Sequence, residues 1–289
     1  MECIVNDLPI YYEEHGEGKP VLCLHGFAVD HRIVKGALEP IFLKQTEPKI
    51  DKRIGNYRRI YLDLPGMGQT PRRDWIENAD VMLEVVKQFI AKVIGEEIFL
   101  LVGQSYGGYL ALGLVLDPTL KIDGLFLIAP CVIADRRKRK LPAKRQMVVD
   151  PEVESIVSSL MDYEKFLDAF VMVTKENWYR FEAEILPGLR AADVEFLKGY
   201  RKRGYGFSFE PDLRRVKVEF RNLIYVMASQ DDHVVGWVDV VNLLKGASPS
   251  VFAIVDENGH YLHIEGSDIF SICLQDWLLG VAKKQGAIS

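Results

Sequence analysis

The sequence predicts an α/β protein built on a mostly parallel sheet, with a helical segment inserted late in the core. Short runs that are apolar on both faces recur along the chain and alternate with stretches of helical periodicity, the pattern of a sheet covered by helices. From about residue 134 to 215 the strand-like runs stop and helical periodicity takes over. Gly103-Gln104-Ser105-Tyr106-Gly107, a GxSxG pentapeptide, stands directly between an apolar run and a helix-like run.

Residues 2–14 read as two short strands joined through Asn6-Asp7, an edge hairpin. Apolar runs at 21–24, 59–62, 98–102, 125–129, 223–228 and 251–255 read as parallel strands. Helical patterns fall between them at 79–94, 106–116, 237–245 and 267–279; in the last, Ile269, Ile272, Cys273 and Trp277 share a face and Gly280 is placed to end the helix. The polar stretch 44–58, with Pro48, Gly55 and Asn56, reads as a surface loop. The core is therefore expected over 1–133 and 216–289, with a helical cap over 134–215. Three to five helices are expected there, one opening at Asp150-Pro151 and one broken from the next at Pro187-Gly188. The insert holds Tyr163, Phe166, Phe170, Trp178, Tyr179, Phe181, Phe196, Tyr200, Tyr205, Phe207 and Phe209, more aromatics than its own packing needs, and the surplus is expected to face a pocket.

A chain of 289 residues suits one large domain with an inserted subdomain. Its net charge of -5 gives no general reason to expect a nucleic-acid partner. No apolar run reaches the ~20 residues of a membrane span, and Met1-Glu2-Cys3 does not open a secretory leader, so the chain reads as cytoplasmic. Cys3, Cys23, Cys131 and Cys273 lie far apart within apolar segments and read as free thiols.

The serine turn carries the chemistry. A strand that turns sharply into a helix at a serine leaves the hydroxyl on a strained tip with the helix N-terminus behind it, and flanking glycines admit the close backbone. Such a serine needs a base oriented by a carboxylate. His260, in the Gly-rich loop after the last strand, would lie at the carboxyl edge of the sheet beside Ser105. Asp231 and Asp232 follow the strand at 223–228 at the same edge; adjacent side chains point apart, so one serves. His263 could share a helical turn with His260, but the pair lacks a third ligand at metal-site spacing, and neither metal nor cofactor is expected.

These motifs stand in an order that resembles the α/β-hydrolase superfamily, in its capped, epoxide-hydrolase-like and esterase-like branch. His25-Gly26 follows one strand, Asp63-Leu64-Pro65-Gly66-Met67-Gly68 the next, then come the serine turn, the acid loop and Gly259-His260. The resemblance covers nearly the whole core and implies an eight-stranded, mostly parallel sheet. It also favours Asp232 as the acid, since the family's acid loop reads Gly, two residues, Asp, two residues, Val or Ile, with Ser229 here replacing the glycine. Relatives that carry the acid after the sixth strand make Asp135 a lesser rival. Tyr106, directly after the nucleophile, supplies one oxyanion N–H, and the resemblance implies a second on Phe27. His25, Gly26, Gly103 and Gly107 are expected to shape the supporting loops, and His233 to point away from Ser105.

The expected activity is hydrolysis of an ester or related activated carbonyl, through an acyl-enzyme, on a small apolar or aromatic substrate. Prolyl iminopeptidase, carbon–carbon bond hydrolase and acyltransferase are alternatives on the same triad, and a silent ligand-binding receptor is the alternative of another class. Epoxide hydrolases and haloalkane dehalogenases of similar fold use aspartate where this chain has Ser105, and iminopeptidases usually carry tryptophan where it has Tyr106. From Arg136 to Arg145 seven of ten residues are basic, a solvated face or a means of steering an anionic substrate or touching an acidic surface.

Overall fold

In the computed structural model, which describes residues 1–43, 56–157 and 159–284, the apolar runs form strands and the helical patterns pack over them. The strands are β1 (Glu2–Val5), β2 (Leu8–His15), β3 (Lys19–Leu24), β4 (Tyr57–Leu62), β5 (Phe99–Gln104), β6 (Ile122–Ile128), β7 (Met147–Val148), β8 (Met172–Val173), β9 (Leu223–Ser229) and β10 (Ser250–Val255). Among the described residues eight of them make one sheet in the order β1-β2-β4-β3-β5-β6-β9-β10. β1 and β2 pair antiparallel, as do β2 and β4, and every other neighbour is parallel. The opening hairpin therefore caps one edge of an otherwise parallel sheet. Strand order reverses at β3, which lies between β4 and β5, so the loops after β3 and β5 flank a crevice at the carboxyl edge, where open α/β sheets bind ligands.

The helices are α1 (Arg32–Leu43), α2 (Ala79–Val93), α3 (Tyr106–Leu114), α4 (Val153–Ile156), α5 (Leu160–Ala169), α6 (Lys175–Arg180), α7 (Leu186–Ala191), α8 (Val194–Gly204), α9 (Val216–Glu219), α10 (Val238–Leu244), α11 (Leu262–Glu265) and α12 (Ser267–Lys284). Asn78 caps α2 by accepting the Val81 N–H. α3 is buried on every face, which explains why its apolar residues show no amphipathic period.

Four local expectations are corrected. α12 runs through Gly280 to Lys284, and a side chain at 280 would meet Leu223 Cδ2 at 2.7 Å, so the glycine admits β9 rather than ending the helix. Pro187 does not separate two helices. A π-turn over Phe181–Ile185 joins α6 to α7 and already breaks the regular hydrogen-bond ladder, so the missing proline N–H costs little. The helix expected at Asp150-Pro151 starts at Val153, while the Asp150 carboxylate accepts the Lys175 N–H and ties the segment to α6. The insert also contains strands: β7 and β8 form a parallel ladder of two residues each, too short to leave a periodic signal. Most of the loop expected at 44–58 lies outside the described residues, and its last two residues, Tyr57 and Arg58, begin β4.

All four cysteines are free; Cys23, Cys131 and Cys273 are buried as expected of thiols in apolar segments, whereas Cys3, on the edge strand β1, is only partly buried. Among the described residues no helix is long and apolar enough to cross a membrane.

Candidate active site

The serine turn is built by strand register. Leu24 pairs with Gly103, which sets the chain after β3 against the chain after β5. A side chain on Gly107 would lie 2.2 Å from the Leu24 carbonyl, and one on Gly103 2.6 Å from the Gly107 carbonyl. Only glycine fits either place. Between them Ser105 takes φ 52° and ψ -113°, a backbone well that non-glycine residues rarely occupy. Its N–H donates to the Ile128 carbonyl at 3.0 Å, and its own carbonyl accepts from Cys131 at 2.9 Å, so β6 holds the strained residue in place.

β9 and β10 deliver the other two groups to the same edge. His260 Nε2 lies 2.8 Å from Ser105 Oγ, and His260 Nδ1 lies 2.9 Å from Asp232 Oδ2. The other Asp232 oxygen accepts the N–H groups of Val234 and Val235 at 2.8 and 3.0 Å. Burial opposes ionisation of Asp232, but His260 and these two amides outweigh it and hold the carboxyl below its ordinary range. An ionised carboxylate only accepts, so Nδ1 carries the imidazole proton and the Nε2 lone pair faces the serine hydroxyl. All three side chains are buried.

Asp231 and Asp135 bond elsewhere. Asp231 accepts from the Glu257 N–H and from Arg145. Asp135 caps the short turn at Arg136–Lys138 and takes the Arg137 guanidinium through both oxygens. His25 is fully buried: Nδ1 donates to the Gly26 carbonyl at 2.7 Å and Nε2 accepts the Leu64 N–H at 2.9 Å, which pins the loop carrying Phe27 to the one after β4. Burial holds its imidazole below the ordinary range although Asp63 pulls the other way. His233 is half-buried beside Asp232, and His263 is fully buried in α11; neither bonds to Ser105 or Asp232.

Two further residues have roles that the sequence did not reveal. Ser229, standing where the resemblance expects glycine, donates its hydroxyl to the Asn258 carbonyl and so staples the acid loop to the histidine loop. Glu265, five residues after His260, accepts the Gly259 N–H at 2.7 Å with one oxygen and the Val171 and Met172 N–H groups at 2.8 and 2.7 Å with the other. Burial pushes its carboxyl up to about 7 against the pull of these amides. It joins the His260 loop to the segment around β8. The sequence signal was an acid that follows apolar residues, Ile264 directly before it and Leu262 a turn earlier.

A cavity of about 730 Å³ opens onto Ser105 and His260, with Phe27, Tyr205 and Tyr261 as its aromatic walls. The expectation for the insert's aromatics is thereby corrected: of those named, only Tyr205 lines this cavity. Phe166, Phe170, Trp178 and Phe181 are buried against one another, with ring centroids 4.6 to 6.0 Å apart. Edge-to-face and tilted pairs of this kind fill a helical layer where sheet residues are not available.

The chain belongs to the alpha/beta hydrolase family, whose model matches residues 21–270. Among solved structures it is similar to an alpha/beta superfamily hydrolase from Oenococcus oeni PSU-1, with 27% identity and a TM-score of 0.81 over 96% of this chain and 99% of that one. An esterase from Exiguobacterium antarcticum shares the fold at 17% identity, with a TM-score of 0.71 over 95% and 97% of the two chains. Among curated relatives it is 30% identical over 128 residues to the pimeloyl-acyl-carrier-protein methyl ester esterase of Legionella pneumophila (strain Paris). That match spans 44% of this chain and 45% of the relative, less than half the length of either.

Proposed function

We propose that the protein is a serine hydrolase that cleaves an ester, or a related activated carbonyl, of a small molecule. The reading rests on one observation above others, the unbroken line from Ser105 Oγ through His260 to Asp232 at 2.8 and 2.9 Å. His260 Nε2 takes the hydroxyl proton as Ser105 Oγ attacks the carbonyl carbon, and Asp232 stabilises the imidazolium. The oxyanion binds the N–H groups of Phe27 and Tyr106, each worth roughly 3 kcal/mol in the transition state. The tetrahedral centre collapses, the leaving alkoxide takes the proton from His260, and an acyl-Ser105 remains. Water, deprotonated by His260, then releases the acid and restores the serine.

Residues 134–215 act as the cap in this reading, contributing Leu189, Arg201, Tyr205 and Gly206 to the cavity wall. The methyl ester esterase among the curated relatives, 30% identical over 128 residues, supports an ester. Cytoplasmic location belongs to the same proposal. A fluorophosphonate probe tests it: wild-type protein should be labelled on Ser105 and Ser105→Ala not at all. Folded wild type left unlabelled at a concentration that labels a control esterase would remove the nucleophile, and a silent receptor would take its place.

A further inference from the structure

We infer that the substrate carries an anionic group, a carboxylate or a phosphate, bound by a rim of guanidinium groups around the Ser105 cavity. This deepens the proposed function and rests on Ser105 being its nucleophile. Six charged residues line the cavity: Asp135, Arg136, Arg137, Arg139, Asp168 and Arg201. Both carboxylates are already neutralised, Asp135 by Arg137 at 3.0 Å and Asp168 by Lys144 at 2.5 Å. Arg136, Arg139 and Arg201 have no carboxylate partner among the described residues. Arg136 donates to the His233 carbonyl, and Arg139 to the carbonyls of Ile133, Ala134 and Val234. Carbonyls orient a guanidinium but leave its charge uncompensated. A chain whose net charge is -5 thus gathers three unpaired cations around one concavity, where fields of one sign add and attract a ligand of the other.

Arg201 is the residue best placed to read that ligand. Its guanidinium lies 4.5 Å from the centroid of the Phe27 ring and 5.8 Å from that of Tyr205. Stacking on aromatic faces holds the plane of the group while its N–H donors stay free. Among the described residues none of those donors has a hydrogen-bond partner. Phe27 is also the residue proposed to give an oxyanion N–H, so Arg201, on its ring, belongs to the same cavity wall as that donor. The apolar or aromatic group expected from sequence keeps its place beside this anion: Phe27, Tyr205 and Tyr261 take the apolar part and the arginines the charged end.

Three p-nitrophenyl esters of equal acyl length test the inference: the hexanoate, the adipate half-ester ending in a carboxylate, and an analogue ending in a phosphonate. Wild type should favour at least one charged ester over the hexanoate by about tenfold in kcat/KM, chiefly through KM, and the preference should shrink as salt rises. Whichever charged arm leads names the anion. Arg201→Gln and Arg136→Gln should each lower the charged-to-neutral ratio several-fold, and Arg201→Lys should restore part of it, since an ammonium keeps the charge without the fork. A ratio at or below one in wild type at every salt concentration, or one unchanged in both glutamine variants, overturns the inference while leaving the hydrolase reading intact. Failure to turn over any of the esters, together with no fluorophosphonate label on Ser105, sinks both.

Discussion

The loops at the carboxyl edge of the sheet and the segment between β6 and β9 both place side chains around one cavity, by opposite means. In the edge loops each group has one fitting solution: glycine at 103 and 107, a buried Asp232 with His260 and two amides as partners, His25 bonded at both ring nitrogens. In the insert the organising contacts are aromatic faces, Phe166, Phe170, Trp178 and Phe181, which tolerate several geometries. Sterically forced positions write motifs into a sequence. Interchangeable packing does not.

The sharpest break of this contrast is at the acid. Asp232→Asn should lower kcat for a p-nitrophenyl ester by about 10³- to 10⁴-fold, because the amide favours the wrong imidazole tautomer, whereas Asp231→Asn, one residue away, should change it by less than about threefold. Equal losses in the two variants would mean that the loop rather than one carboxylate matters. Next in size, Gly107→Ala should cost about 3 kcal/mol or more in urea unfolding, since the added carbon meets the Leu24 carbonyl at 2.2 Å. Trp178→Phe in the insert should cost about 1–3 kcal/mol and leave kcat within a few-fold. The contrast collapses if the second substitution proves as damaging as the first.

What could be read in advance follows the same division. The alternation of strands, the serine turn, His260 and the acid loop were legible because each depends on a local steric or chemical demand. Asp232 was separated from Asp231 only through the resemblance, as spacing alone left both open, and in the structure it is Asp232 that bonds His260. The roles of Ser229 and Glu265 were missed because their partners, Asn258, Gly259 and the Val171 and Met172 amides, are brought near by tertiary packing. The insert's aromatics were misread because the same residue types serve a pocket wall or a buried layer. Gly280 was misread because a glycine that admits a neighbouring strand looks like one that ends a helix.

The smallest expected effect lies at Glu265, the residue that bridges the two regions. Its folded pKa of about 7 lies above the unfolded value near 4.5, so the folded state holds the proton more tightly between them. This share of stability is full below about pH 4.5 and declines as the pH rises toward 7. Glu265→Gln removes the dependence, and the Tm difference between wild type and variant should fall from about pH 5 to about pH 8. A difference that grows over that range would place the charged carboxylate, rather than the neutral acid, in the clamp.

The central claim, that Ser105 becomes acylated, is tested most directly by intact-protein and peptide mass spectrometry of enzyme quenched during turnover of a p-nitrophenyl ester. The peptide containing Ser105 should carry an added acyl mass that chases away as substrate is exhausted and is absent in Ser105→Ala. Steady turnover with no adduct, persisting undiminished in Ser105→Ala, would contradict it.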